Sequence, residues 1–252
     1  MFFLSAPLRE IVLTREMFEV ERIIDLNADL GEGAGYDAEL MALVSSANVC
    51  CGAHAGDPVL IRKTLELALK HNVVVGAHPG YPDRENFGRL ELKLSPADVR
   101  THCQYQSGAL DAVARLVGVR VKYLKPHGAL YNQACREPDL AKAIVAVALL
   151  SGTAIVGLPN SELAHAAAKL NVPFFAEGFA DRRYRSDGSL VPRTEPGAFV
   201  ESPAEAVEQV ERLVNDSVRT ICIHGDNPDS VVFAQAVREG LLTRGFTIRP
   251  FA

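Results

Sequence analysis

A chain of 252 residues, 48 % apolar and 23 % charged, is long enough for one large α/β domain with a substantial core. A net charge of −5 without a basic cluster argues against nucleic acid as a partner, and no run approaches the ~20 apolar residues of a membrane span. Five cysteines, odd in number and without a Cys-x-x-Cys pair, read as reduced thiols in a cytoplasmic protein.

Residues 1–22 carry charges throughout and lack a compact signal-peptide core and cleavage site. They read as an appended segment outside the core, with Met17 as an alternative start, and the domain is expected over 23–252. Strands are expected at Ile23–Ala28, Ala47–Cys51, Val73–Ala77, Val119–Leu124, Ala154–Gly157, Val172–Ala176 and Thr220–Ile223. Helices alternate with them. Asp57-Pro58 sets a cap residue before a first-turn proline, and Ser95-Pro96-Ala97-Asp98 and Ser202-Pro203-Ala204-Glu205 read as capping boxes, the second closer to the rule. Asn160 and Asn227-Pro228 open two further helices. This alternation predicts a parallel sheet with helices outside: a seven-stranded (β/α) barrel, or alternatively a doubly wound open sheet. Two connections, Pro79–Leu94 and Glu177–Ser202, are long enough to suggest function. The second carries Asp181, Arg182, Arg183, Tyr184 and Arg185, which suits clamping an anion.

Five apolar runs end in Asp, Asn, Lys or His beside Gly or Pro, and ligands of parallel α/β folds bind at such strand ends. The first run ends in Asn27, Asp29 and Glu32; paired carboxylates can bind a metal or share acid–base work, or merely cap a turn. The glycines after Asp29 do not complete a dinucleotide loop, because Tyr36 stands at its last glycine position, and no P-loop or nucleophile elbow occurs. Of seven histidines, His54, His78, His127 and His224 follow strands, each with a glycine within two residues. A mixed His/Asp site could hold a divalent metal, with Asp29, His54 and His127 as its ligands, but no close-spaced ligand pair demands one. Lys125 ends an apolar strand, where burial requires a carboxylate partner from the protein or the substrate. Asn48 and Asn132 are candidate amide contacts for a small polar ligand. His224 and Asp226 are a candidate oriented acid–base pair at a helix start.

In chain order, DLNADLGEG, SANVCCGAHAGDP, GAHPGYPDRENFGR, YQSGAL, KPHGALYN, FADRRY…DGSLVPRTEPGA and HGDNP resemble the family of 5-oxoprolinase A subunits, or lactam-utilisation proteins. The resemblance runs from about Ile23 to the C-terminus; the leading segment departs from it, as do Cys50 and Ala53, where most members read ACG for Cys50-Cys51-Gly52 and GFH for Gly52-Ala53-His54. It implies a distorted seven-stranded barrel of the glycoside hydrolase/deacetylase type. It also implies ATP-dependent opening of 5-oxoproline to L-glutamate, with ATP as co-substrate handled largely by partner subunits B and C. On that footing Asp29, His127, Lys125 and His224 are the expected catalytic residues, with Asp29 as general base. Asn27, Glu32, Asn48, His54, His78, Asn132, Arg183 and Asp226 are expected to bind substrate, Arg183 with Lys125 taking a carboxylate or phosphate. A homo-oligomer is compatible with this reading. A stand-alone metal-dependent deacetylase and a non-catalytic scaffold are the competing expectations.

Overall fold

The computed structural model describes residues 21–225 and 229–252, so the expected helix start at Asn227-Pro228 lies outside the described residues. Along the chain run β1 (Arg22–Leu30), α1 (Asp37–Met41), β2 (Ser46–Cys50), α2 (Pro58–His71), β3 (Val74–His78), α3 (Pro96–Val117), β4 (Val121–Leu124) and α4 (Gly128–Arg136). There follow α5 (Pro138–Ser151), β5 (Ala154–Gly157), α6 (Glu162–Lys169), β6 (Phe174–Phe179), α7 (Pro203–Asn215), β7 (Thr220–Cys222), α8 (Ser230–Thr243) and β8 (Phe246–Ile248). The first seven strands are parallel and close on themselves, because β1 pairs with both β2 and β7. Closure establishes the seven-stranded barrel and removes the open sheet. β8 was not anticipated; it is short and pairs only with the opening residues of β1, Ile24 facing Ile248.

Local chemistry explains most boundaries. Asp57 accepts hydrogen bonds from the backbone N–H of Val59 and Leu60 at the start of α2, and Ser95 accepts one from Asp98 N at the start of α3. The second capping box does not form. Ser202 makes no side-chain cap, because Glu205 is held by Arg183 instead, through Nη2 at 3.1 Å and Nη1 at 2.5 Å. The cap of α6 is Ser161 rather than Asn160. β6 begins and ends later than expected, and Glu177 lies inside it.

That carboxylate in mid-strand reflects how the barrel is filled. On β1 the apolar Ile24, Leu26, Ala28 and Leu30 join the core between sheet and helices, so the period of two turns Asp25, Asn27 and Asp29 inward. The interior is consequently a stack of polar side chains. At the bottom Asp25 accepts hydrogen bonds from Ser45 Oγ at 2.6 Å, Ser46 Oγ at 2.7 Å and Thr220 Oγ1. In the middle Asn27 Nδ2 donates to Thr220 Oγ1 at 2.6 Å, Asn48 Nδ2 donates to Asn27 Oδ1 at 2.6 Å, and the Tyr123 hydroxyl donates to Asn48 Oδ1 at 2.7 Å. Asp29, His78, Lys125 and Cys222 form the top, at the C-terminal ends of the strands.

Two predictions arise from this interior. Burial drives the Asp25 carboxyl from 3.8 up to about 6 against its three hydroxyl donors. The native state therefore keeps this proton longer than the unfolded chain does. The stability contributed is full below pH 3.8 and is lost as pH rises through about 6, a change of about 3 kcal/mol. Urea denaturation of the wild type and Asp25→Asn across this range should show the wild type losing about that much relative to the variant. A difference flat with pH would remove Asp25 as a titrating core acid.

The second concerns Gly76, opposite Tyr123 across the β3–β4 pair. A Cβ at Gly76 would lie 2.1 Å from Tyr123 Cε2. The ring cannot swing clear, being tied to Asn48 at its hydroxyl and packed on Phe251 with centroids 5.0 Å apart. Gly76→Ala is expected to cost about 1–3 kcal/mol by overpacking, read as a lower urea midpoint with unchanged slope. An unchanged midpoint would mean that the barrel interior yields more readily than its hydrogen bonds imply.

Candidate active site

The strand ends open into a cavity of about 850 Å³ whose floor is Asp29, Glu32, His78, Lys125, His127 and His224. β1 supplies Asp29, and its Cα partner on β2 is Asn48, which donates to Asp29 Oδ1 at 2.8 Å. Lys125, 2 % exposed, places Nζ 3.0 Å from Asp29 Oδ1, 2.7 Å from Glu177 Oε1 and 3.1 Å from Cys222 Sγ. Burial opposes its charge, but Asp29, Cys222 and Glu177 outweigh that and hold the ammonium well above its ordinary value. Asp29 is the mirror case. Burial pushes its carboxyl up, while His78 and Lys125 hold it well below the ordinary carboxylate range.

Backbone carbonyls orient the histidines. His78 Nδ1 donates to Lys125 O at 2.8 Å and His127 Nε2 to Phe87 O at 2.8 Å. Their other nitrogens, His78 Nε2 and His127 Nδ1, face each other at 3.0 Å, so a shared proton or a cation must lie between them. His78 Nε2 is also 3.3 Å from Asp29 Oδ2, and His127 Nδ1 is 3.3 Å from Glu32 Oε1. His78 is buried, which disfavours its charge, yet Asp29 raises it above the usual histidine range. Burial, His54 and His78 press His127 well below that range, leaving it the neutral acceptor. His54 stacks on His127 with centroids 3.8 Å apart and reaches Glu32 Oε1 at 3.1 Å.

The same atoms fit a divalent ion. Asp29, His78 and His127 bring ligand atoms within 4.8 Å of one another, as do Glu32, His54 and His127, and Asp29, Cys222 and His224. In the first set both rings are fixed by backbone acceptors on the far nitrogen, the outer support that histidine ligands need. The set expected from sequence, Asp29 with His54 and His127, is not among these groups, because His54 lies behind His127 on the Glu32 side.

The expected partner of His224, Asp226, lies outside the described residues. Among those described, His224 Nδ1 donates to Asp181 Oδ2 at 2.8 Å. The register explains this: Phe179 of β6 faces Cys222 of β7, so the residues two further on meet. Burial pushes Asp181 up, but His224, Arg193 and Arg182 together hold it below its ordinary value.

A profile of the LamB/YcsF family matches residues 24–252. The chain belongs to that family. Over 247 residues this LamB/YcsF protein is 43 % identical to the 5-oxoprolinase A subunit of Pyrococcus furiosus, covering 90 % of this chain and 97 % of the relative. It is 40 % identical to the lactam utilization protein of Thermus thermophilus, whose crystal structure superposes with a TM-score of 0.84 over 91 % of this chain and 100 % of that one. A peptidoglycan N-acetylglucosamine deacetylase domain of Eubacterium rectale, 13 % identical, shares the fold with a TM-score of 0.52 over 92 % of this chain and 89 % of that one.

Not every expected residue of this LamB/YcsF protein reaches the cavity. Asn132 lines it, donating to Gly128 O at 3.2 Å. Asn27 and Asn48 lie one layer below, buried within the barrel, and His54 is behind His127; none of the three lines the cavity. Arg183 is turned away to Glu205, and Arg89, Arg182 and Arg193 line the cavity in its stead. Glu177, Cys222 and Tyr123 were missed. Glu177 had a sequence signal, a lone charge between Phe174 and Phe179, which is costly to bury without a buried partner. The Asp181–His224 contact had none, since strand register created it.

Proposed function

We infer that this chain is the hydrolytic subunit of an ATP-dependent 5-oxoprolinase, acting with partner subunits B and C to open the lactam of 5-oxoproline to L-glutamate. The observation that carries this reading is a cavity floor of oriented histidines and carboxylates in a chain 43 % identical to a 5-oxoprolinase A subunit. A non-catalytic scaffold would have no use for a buried Lys125 and four histidines converging at strand ends, all costly to hold there. The barrel offers no P-loop, so nucleotide handling falls to the partners. Five free cysteines suit work in the cytoplasm.

The residues divide the work by their charge states. Asp29, held well below the ordinary range, is a weak base; it keeps His78 charged and orients it. The proton work goes to His224, whose Nδ1 is fixed by Asp181 and whose Nε2 is left for a water. His224 takes the water's proton and returns it to the ring nitrogen as the carbon–nitrogen bond breaks. His78, beside Asp29, presents positive charge where negative charge develops on the amide oxygen. Were a divalent ion bound, a neutral His78 would hold it with Asp29 and His127, and the ion would supply polarisation of that oxygen and a more acidic water in place of the imidazolium charge.

Glutamate release from 5-oxoproline with ATP is the test, run on this chain alone and with the B and C partners. Release is expected only from the full set. ATP hydrolysis by the full set without glutamate would discard the substrate. The ligand-like set Asp29, His78 and His127 favours one competing reading, a stand-alone metal-dependent deacetylase. Stoichiometric metal together with ATP-independent deacetylation by this chain would establish it.

A further inference from the structure

The floor of the cavity is polar, but the side that rises from it at β5 and β6 is not. Leu158 directly follows β5, Phe179 ends β6, Tyr131 comes from the first turn of α4 and Leu190 from the connection after β6; all four line the cavity. Tyr131, Leu158 and Phe179 are buried and pack in one apolar cluster with Cys222, and the partly buried Leu190 packs against them. This cluster is separate from the larger core between sheet and helices. An apolar surface beside a few oriented polar groups is the usual make-up of a small-molecule site.

Phe179 ties this surface to the reacting groups. Its ring is stacked on His224, with centroids 5.5 Å apart and planes inclined by 12°, and Lys125 Nζ stands 5.4 Å from its centroid. Tyr131 meets the same ring edge-on at 5.8 Å. A substrate placed for attack by a water on His224 is therefore brought against the apolar side. That side is held in place. The Tyr184 hydroxyl accepts a hydrogen bond from Phe179 N at 2.7 Å, and Ser161 Oγ, the cap of α6, donates to Leu158 O at 2.7 Å. Tyr131 presents only its ring, since the hydroxyl oxygen is closed to solvent. Burial and then Glu177 hold that phenol neutral, well above its ordinary range. The surface thus offers no partner to a polar group on the substrate, and burying such a group unpaired is costly.

We propose that Tyr131, Leu158, Phe179 and Leu190 form a specificity wall for the two ring methylenes of the lactam, so that this chain selects rings with no polar group on those carbons. The proposal rests on the 5-oxoprolinase reading and deepens it, by naming what the site distinguishes within the substrate. 5-Oxoproline carries its carboxylate and its amide along one edge of the ring and the two methylenes along the other. With the amide beside His224, the methylene edge lies on Phe179 and its neighbours. A hydrophobic site rejects a substrate that merely adds a hydroxyl by only ~10², so selection of that order is expected. An amide side chain set into the wall would supply the missing partner and weaken it.

The test compares 5-oxoproline with 4-hydroxy-5-oxoproline, whose added hydroxyl sits on one of those methylenes. In the full complex with ATP, wild-type kcat/KM should favour 5-oxoproline by about 10²-fold. Leu158→Asn should shrink that preference at least about tenfold. Leu190→Asn, at a partly buried position that tolerates an amide more readily, should act in the same direction and keeps the test decisive should Leu158→Asn not fold. Leu149→Asn, on an exposed position of α5 outside the cavity, should leave the ratio as in the wild type. Comparing ratios cancels selection by the partner subunits, which are the same throughout. Calorimetric titration of the purified chain with both compounds should give the same order and the same loss in the wall variants. A preference equal in the wild type and both wall variants would overturn the wall, as would a wild type that takes the hydroxylated ring as readily as the plain one. Failure of the two readings is distinguishable. A binding preference that depends on Leu158 or Leu190, without any glutamate from the wild-type complex, sinks the lactamase reading alone. Full glutamate release with a preference unmoved by either wall variant sinks the wall alone, and neither binding nor release by the wild type sinks both.

Discussion

Glutamate release by the assembled enzyme is expected to fall about 10²–10⁴-fold when His224 is replaced by Gln, the usual range for removing a general acid–base group. The expectation rests on the pairing of His224 Nδ1 with Asp181 at 2.8 Å, which fixes the tautomer and leaves Nε2 as the proton acceptor over the cavity. The loss should appear in kcat, with KM for 5-oxoproline nearly unchanged, because a proton carrier acts in the transition state more than in binding. Asp181→Asn should give a smaller loss of the same kind, since the amide can stabilise the wrong tautomer. Asp29→Asn gives the decisive comparison. Its Oδ1 can still accept from Lys125 and Asn48, while the charge beside His78 is lost. Near-wild-type turnover by His224→Gln, with the large loss at Asp29→Asn, would return the base role to Asp29, as the sequence alone suggests.

The larger structural effect is expected at Lys125. Lys125→Met leaves Asp29 and Glu177 buried without the ammonium that lies 3.0 and 2.7 Å from them. Breaking a buried pair from one side costs about 3–5 kcal/mol, a large part of the ~5–15 kcal/mol that holds a domain together. Denaturation in urea should show that loss. The companion change Glu177→Gln should recover part of it, because the two sites are in direct contact and not additive. Lys125→Arg should not rescue, since a planar guanidinium has no room among Asn27, Cys222 and the Phe179 ring that surround Nζ. A cost below about 1 kcal/mol for Lys125→Met would mean that the carboxylates take up protons in its absence.

The role of Asp29 shows why individual chemistry was harder to read than location. A carboxylate at a strand end beside glycines invites the base assignment. Its strength as a base depends on neighbours from other strands, His78 on β3 and Lys125 just beyond β4, which hold its carboxyl down. Arg183 fails in the opposite direction. Adjacent to Arg182 in the sequence, it points to Glu205 on α7, because successive residues of an extended segment face opposite ways.

The alternation of strands and helices, the parallel sheet with helices outside and the end of it that carries the chemistry were legible in the chain, whereas the choice between barrel and open sheet fell to the closing pairs of β1. The legible features follow from local rules: apolar runs, cap residues such as Asp57 and Ser95, and polar residues beside glycine at strand ends. The inward face of β1 was equally legible, since Asp25, Asn27 and Asp29 are spaced at the strand period of two. Only the tertiary structure decided which of these groups act together. The register of β6 on β7 joined His224 to Asp181, and the course of strands and loops around the barrel brought Glu177 under Lys125 and the three arginines to one wall. Such contacts join residues from separate strands and loops, and strand register and loop path, which fix them, leave no local trace in the chain.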